Sequence, residues 1–284
     1  MVFSEVYYMR RAILLTITFF LLSSLGFAAC PDGMVSYWTF DNDSVSEGVA
    51  LDMHGNNNGS IYGATPGASA RVGEAFSFDG NDDYVEVPPY GALDVVDGLT
   101  LVAWIKPASY ASSNFNMIIN KWNDGLDHYQ LALYSGKPRL TVKSGTNNIA
   151  ILGDNAVSLN EWYQLLGIWN GTHTKLYVNS VKQNEIAQVS SINNTDARLL
   201  IGRQNYPGPN HPDWRREFDG LIDEVAIFNR ALNETEIAQL YNQSKQGYDY
   251  CGTYTKKLPL SSKFTEFPST TNFSQVQNLS AVEN

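Results

Sequence analysis

The chain has 284 residues, with 29 Asp and Glu against 19 Lys and Arg and a net charge of −10. That balance excludes nucleic acids and anionic membrane surfaces as expected partners, because both call for a basic patch. With 43 % apolar residues and two cysteines, the chain can bury a substantial core and close at most one disulfide.

The first expected element is a leader. Arg10-Arg11 precede an apolar run from Ala12 to Leu22, and small residues follow at Gly26 and Ala28. A basic region, an apolar stretch and small residues in that order predict a secretory signal peptide over residues 1–29. Met9 makes the tidier start, since it drops Glu5 and leaves the arginines at the terminus. Two other readings stay open. The run is nearly long enough to be an uncleaved anchor, and Phe27-Ala28-Ala29-Cys30 loosely resembles a bacterial lipobox. Each predicts an exported protein, secreted or at the cell surface, with membrane contact only through this segment.

Strands follow. Apolar and polar residues alternate over Tyr37–Phe40, Phe76–Phe78, Leu101–Ile105, Tyr129–Tyr134, Trp162–Trp169 and Lys175–Val178. Between them Asn56–Gly59, Asp79–Asp82, Ser135–Pro138 and Asn170-Gly171 read as turns. Strands at this spacing predict an all-β fold, an antiparallel two-sheet sandwich or jelly roll. Phe218–Tyr241 then changes period. Leu221, Asp223, Val225 and Ile227 alternate with Ile222, Glu224, Ala226 and Phe228, as in a strand. Leu232, Ile237, Leu240 and Tyr241 recur at helical spacing, and Asn233 with Glu236 makes a capping box. One short C-terminal helix is expected after the last strand.

Cys30 and Cys251 bracket the expected domain, residues 30–251. In an exported protein an even count favours a disulfide, and two cysteines allow one pairing. Two unrelated free thiols are the alternative. Closing so long a loop stabilises by at most about 5 kcal/mol in the chain-entropy picture. Residues 252–284 are rich in Ser, Thr, Asn and Lys and carry Pro259 and Pro268 without apolar period. That composition predicts a disordered tail or linker.

Several stretches, in order, resemble one family: Val35–Asp41, Asp52–Gly59, Val72–Pro88, Leu99–Ile105, Glu161–Tyr163 with Lys175–Asn179, and Phe218–Tyr241. Together they look like the laminin-G-like, concanavalin A-like jelly-roll domains of secreted and surface proteins, over roughly Cys30–Cys251. The resemblance implies a structural calcium near the Asp52 loop, whose Asp and Asn residues offer the hard oxygen donors that Ca²⁺ prefers. Asp41, Asp52, Asn57 and Asp223 are the expected ligands, with backbone carbonyls completing the shell. The Asp52 loop also has a plain reading, as a Gly/Asn-rich turn that binds nothing, and Asp223 another, as an exposed strand residue paired to a neighbouring Arg or Lys.

The same fold includes glucanases whose paired carboxylates share one strand face, where they can flank a glycosidic bond. Here Glu217-Phe218-Asp219 is followed by Gly220, Leu221 and Ile222, so the third carboxylate is missing. Alternation sends Asp223 and Glu224 to opposite faces. No Ser-His-Asp, HExxH or phosphate-loop pattern occurs, and no catalysis is expected. A non-catalytic binding module is, for a carbohydrate or glycoprotein at a cell surface. Sugar sites on sandwiches stack aromatic faces on the rings and orient the hydroxyls with a few polar groups. The proline-stiffened loop Gln204–Arg216 supplies Tyr206, Trp214 and Arg215, and Trp122 with Asp127 forms a second rim. A protein-binding adhesion module or spacer is the alternative; a glycoside hydrolase or polysaccharide lyase is the more distant one.

Overall fold

The computed structural model describes residues 29–95, 97–111, 114–123, 126–187, 191–193, 195–204 and 216–255. The expected signal peptide up to residue 28 and the tail beyond residue 255 lie outside them. No described helix is long and apolar enough to cross a membrane.

The chain opens with β1 (Met34–Trp38), β2 (Val45–Ser46), β3 (Val49–Ala50), β4 (Gly59–Tyr62), β5 (Thr65–Ser69), β6 (Glu74–Asp79) and β7 (Tyr84–Val87). Long strands follow: β8 (Leu99–Pro107), β9 (Phe115–Asn123), β10 (Leu126–Tyr134), β11 (Lys137–Ser144) and β12 (Asn147–Leu152). The series closes with β13 (Tyr163–Trp169), β14 (His173–Val178), β15 (Val181–Ala187), β16 (Leu199–Ile201), β17 (Asp219–Phe228) and helix α1 (Glu234–Gln246).

Every pairing is antiparallel. The first sheet has eight strands in the order β15-β14-β13-β8-β17-β6-β5, with β1 beside the second half of β17. The second has nine, β12-β11-β10-β9-β16-β7-β4-β3-β2. This is the two-sheet jelly roll with one C-terminal helix that the alternation predicts. Its hairpins turn where the sequence is permissive. Ser135 and Gly136 both take positive φ (49° and 77°) between β10 and β11, the twist that a two-residue hairpin requires.

The core lies between the sheets, and a second apolar cluster lies on the outer face of the first sheet. β8 shows why its sequence is apolar almost throughout. Leu99, Leu101, Ala103 and Ile105 enter the core between the sheets. Val102 and Trp104 point the other way, into a cluster closed by Leu232, Ile237 and Leu240 of the helical segment. Both faces of that strand are dry because α1 lies over the second one. The helix is specified locally. The Asn233 side chain accepts from the N–H groups of Thr235 (2.9 Å) and Glu236 (3.0 Å), Glu236 accepts from the Asn233 N–H (2.8 Å), and Gly247 ends the helix at φ 85°. Cys30 and Cys251 form a disulfide, which ties the entry of the first strand to the segment after α1.

β17 departs from simple alternation. Between Asp223 and Ala226 its pairing with β8 slips, and Glu224 takes φ 51°. A bulge of this kind leaves an extra residue out of the ladder. The sequence argument that separates Asp223 and Glu224 by strand period therefore does not carry through this point. Both are fully buried.

Candidate functional site

Two places concentrate polar chemistry: an acidic cluster where β17 meets the first loops, and a cleft on the outer face of the second sheet.

The acidic cluster forms around the segment Val72-Gly73-Glu74. The Val72 N–H donates to Asp223 Oδ2 (3.3 Å), and the Glu74 N–H donates to Asp41 Oδ1 (2.5 Å). This short stretch of backbone thus holds two of the expected calcium ligands side by side. Gly73 has φ +55°, and a Cβ there would stand 2.1 Å from Asp41 Oδ1. Only glycine lets the carboxylate approach so closely. Burial lifts the Asp41 carboxyl to about 6, with the charges of Asp43 and Glu74 adding to the effect. Burial likewise pushes Asp223 and Glu224 well above the usual carboxylate range, and each also feels a neighbouring acid. Tyr37 donates its hydroxyl to Glu224 Oε2 (2.5 Å). Asp223 Oδ1 and Glu224 Oε1 are buried without a hydrogen-bond partner, an arrangement that costs free energy unless a cation or proton satisfies it. A cleft of about 510 Å³ opens beside Asp41, Asp43 and Glu74 and is bounded by Thr253 and Tyr254.

The other two expected ligands do different work. Asp52 Oδ1 accepts from the N–H groups of Tyr37 (2.8 Å), His54 (3.1 Å) and Gly55 (2.9 Å), and Oδ2 from that of Asn57 (3.0 Å). A carboxylate has about four lone-pair sites, so Asp52 is spent on closing its own loop. Asn57 donates its side-chain amide to Ser36 Oγ (2.6 Å), and its carbonyl accepts from Trp38 Nε1 (3.0 Å). The expected ligand set therefore divides: Asp41 and Asp223 fit a cation, while Asp52 and Asn57 brace a turn. A further acidic group, Asp79, Asp82 and Asp83, has ligand atoms within 4.8 Å of one another. Its oxygens are engaged in turn chemistry, with Asp79 Oδ1 accepting from Asn81 N (2.8 Å) and Asp83 Oδ2 from Asp79 N (2.9 Å).

The second place follows from alternation in β9, β10 and β11. Leu131 and Leu133 of β10 and Leu140 and Val142 of β11 belong to the core. Gln130 and Tyr134, with Arg139, Thr141 and Lys143, therefore stand on the outer face. In β9 a slip in register puts Ile118 and Ile119 both in the core, which leaves Phe115 and Trp122 on the same outer face. A cleft of about 280 Å³ opens there, lined by Phe115, Trp122, Gln130, Arg139 and Thr141, with Asn148, Gln204 and Arg216 beside them. Arg139 lies 5.2 Å and Arg216 4.4 Å from the centre of the Phe115 ring, and Lys143 lies 5.7 Å from that of Trp122. Gln204 Oε1 accepts from Arg216 Nη1 (2.6 Å), and Asn120 Oδ1 accepts from Gln130 Nε2 (2.8 Å).

Of the expected ligand residues, Trp122 lines this cleft. Asp127 pairs with Trp122 through the backbone, and its side chain lies outside the described ones. Tyr206, Trp214 and Arg215 lie outside the described residues, but the positions that flank their loop, Gln204 and Arg216, both border the cleft. Phe115, Arg139 and Thr141 escaped the sequence reading. Arg139, Thr141 and Lys143 at every second position of one strand were a usable signal, since a polar row opposite Leu140 and Val142 marks an outer face.

The profile of the concanavalin A-like lectin/glucanases superfamily matches residues 79–238. No curated protein matches the chain. Among solved structures, it is similar to botulinum neurotoxin type C, whose cell entry depends on interaction with two ganglioside molecules (TM-score 0.58, 14 % identity, 75 % of this chain and 51 % of that one). It is also similar to domain 4 of an extracellular GH43 arabinanase from Geobacillus stearothermophilus, in complex with arabinotriose (TM-score 0.55, 20 % identity, 73 % of this chain and 98 % of that one). A third is the binding domain of botulinum neurotoxin DC in complex with rat synaptotagmin II (TM-score 0.56, 13 % identity, 75 % and 52 %). The chain spans about half the length of the toxin structures it matches. At these identities the likeness is one of fold. From the family match, the ordered motifs and the two-sheet architecture, the chain belongs to the concanavalin A-like lectin/glucanases superfamily.

Proposed function

We propose that this domain is a non-catalytic carbohydrate-binding module of an exported protein, with its sugar seated in the cleft on the outer face of the second sheet. The observation that carries this reading is the lining of that cleft. Aromatic rings of Trp122 and Phe115 stand beside short polar groups, Gln130, Thr141 and Asn148, on a rigid sheet. Rings supply stacking area, and amide and hydroxyl groups orient sugar hydroxyls. Its volume of about 280 Å³ lies just below the range of about 300 to 1,000 Å³ usual for ligand sites, and suits one or two sugar units. The arabinotriose and ganglioside associations of the similar structures support the same class of ligand. No carboxylate pair lines the cleft among the described residues, so we assign it no hydrolytic step.

A structural Ca²⁺ belongs to the proposal, held by Asp41 and Asp223. The buried Oδ1 of Asp223 without a hydrogen-bond partner supports it, as do the glycine that lets Asp41 approach and the hard oxygen donors. The ion would offset the charge of carboxylates that burial otherwise keeps protonated. Export through the segment up to residue 29 agrees with the disulfide, which persists in oxidising compartments. Residues 252–284 serve in this reading as a tail or linker.

A glycan array with the secreted protein, run with and without EDTA, tests both parts. Sugar binding lost in Trp122→Ala, with unchanged folding, is the expected result. Silence across the array from folded protein would instead favour a protein-binding or spacer role. A calcium titration followed by melting temperature reads the metal separately: no stabilisation by Ca²⁺ and no change in Asp223→Asn would remove it.

A further inference from the structure

We propose that the sugar in this cleft carries a negative charge, a carboxylate or sulfate group that docks against the edge of Arg139 with Arg216 beside it. The inference rests on the carbohydrate reading and adds the charge of the ligand.

The first ground is an imbalance of charge. Across a chain of net charge −10, several cations on or beside the sheets pair with acids. Arg198 pairs with Glu86 at 2.9 Å, Arg203 with Glu217 at 3.7 Å, Lys121 with Asp94 at 2.6 Å, and Lys175 and Lys182 with Glu185. Arg139 has no carboxylate partner among the described residues. It feels the like charge of Arg216, and burial together with that charge holds its pKa below its ordinary value. Two guanidinium groups converge on one ring in a half-buried site, with no acid among the described residues lining the cleft. In a protein so acidic overall, long-range repulsion keeps anions away unless a local field draws them in. In this cleft Arg139, without a carboxylate partner among the described residues, supplies the local charge.

The second ground is geometry. The Arg139 guanidinium lies 5.2 Å from the Phe115 ring centre and 5.9 Å from that of Tyr134, and these two rings are 4.6 Å apart. Stacking engages the faces of the planar group and leaves its N–H edge for hydrogen bonds. An edge held in a fixed plane matches the two oxygens of a carboxylate, or two of a sulfate, with little entropy left to lose. Arg216 is placed by its own bond to Gln204 (2.6 Å) and by Met117 N donating to its carbonyl (3.1 Å). Trp122 and Gln130, on the same face, remain to meet the ring and hydroxyls of the sugar. Lys143 lies 5.7 Å from the Trp122 ring centre.

The test compares ligands that differ in charge alone. Oligogalacturonate and its methyl ester are titrated into the purified secreted chain by calorimetry, beside a sulfated galactan and its desulfated form, neutral arabino-oligosaccharides and a poly-glutamate peptide. The acid should bind about ten-fold or more tighter than its ester, the size of one charge-assisted hydrogen bond, and added salt should shrink the gap. Arg139→Gln should erase that preference with the melting temperature unchanged, and Arg139→Lys should restore part of it. Preference for the sulfated galactan over its desulfated form, with none for the acid over the ester, supports the charge and assigns it to sulfate. Equal binding of charged and neutral forms would overturn the inference and leave the carbohydrate reading standing. No binding to any sugar would overturn both. Poly-glutamate bound as tightly as the acidic sugar would overturn the glycan assignment and favour an acidic protein.

Discussion

The outer faces of the two sheets start from the same strand grammar and end differently. On the first sheet Tyr37, Val102, Trp104, Leu166, Ile168, Ala226 and Phe228 point outward into a second apolar cluster under α1. On the second sheet the corresponding positions hold Trp122, Gln130, Arg139 and Thr141 around an open cleft. One face is spent on stability because a helix covers it; the other stays open and is the proposed sugar site. Burial of a face shows in sequence as apolar residues at every strand position, and exposure shows as a mixed polar and aromatic row. If the cleft is the sugar site, the contrast should separate residues whose loss unfolds the protein from residues whose loss silences it.

The strongest way to break the covered face is to empty it. Phe228 is fully buried in the cluster beneath α1, and Phe228→Ala should cost about 3–5 kcal/mol through lost burial and the cavity left behind. Urea unfolding at neutral pH reads the change, and a loss below that of an ordinary surface substitution would mean that α1 does not seal the sheet. The disulfide binds the same face at its margin, with Cys30 and Cys251 packed against the cluster. Cys251→Ser with Cys30→Ser should lower stability by about 2–5 kcal/mol, and equal unfolding midpoints for the double variant and the parent would contradict a tie that constrains the unfolded chain.

Inside the second sheet a histidine sets a pH dependence with a definite sign. His128 is fully buried, its Nε2 donates to the Val95 carbonyl (3.2 Å), and Lys121 and Asp94 are the charged groups that face it. Burial, with the charge of Lys121 adding, lowers its pKa to about 4. The unfolded chain takes up that proton near pH 6.5, so below this value the unfolded state binds more protons than the folded one. The contribution of neutral His128 is complete above pH 6.5 and is lost as the pH falls towards 4, a change of about 3 kcal/mol by linkage. The buried acids Asp41, Asp223 and Glu224 act in the opposite direction, since their folded values are raised. The histidine part is therefore isolated by comparison with His128→Gln, whose stability should fall less between pH 6.5 and 4. A signal assigned to His128 that titrates near 6.5 in the folded protein by NMR would contradict it.

How much of this was legible in the sequence depends on the range of the signal. The capping box of Asn233 and Glu236, the hairpin at Ser135-Gly136 and the alternation of β10 are local, and local chemistry decides them. The bulge at Glu224 was not legible: positive φ at a glutamate has no marker comparable to a glycine, and the pairing slip is set by β8 and β1 across the sheet. The Asp52 loop looked like a hard-donor metal site because its oxygens are visible in sequence, whereas the four N–H groups that occupy them are not. The cleft lay between. Arg139, Thr141 and Lys143 could be placed on one face from their spacing, but their meeting with Phe115 and Arg216 needed the register of β9 with β10 and the hydrogen bond from Met117 to the Arg216 carbonyl.

The smallest expected change in stability belongs to the open face, and it sharpens the contrast most. Trp122 is large, yet it belongs to neither apolar cluster and stands on the outer face of β9 with Lys143 near its ring. In Trp122→Ala the folded state loses partly exposed contacts and leaves no closed cavity, so stability should fall by about 1 kcal/mol or less. Phe228→Ala, which removes a smaller side chain, should cost several times as much. Binding should show the reverse order: the Trp122 variant loses its sugar, and the Phe228 variant keeps it wherever it remains folded. Unfolding curves and calorimetric titrations on the two proteins give all four numbers. A Trp122 variant as unstable as the Phe228 variant would make the second face structural as well, and the division of labour between the sheets would fail with it.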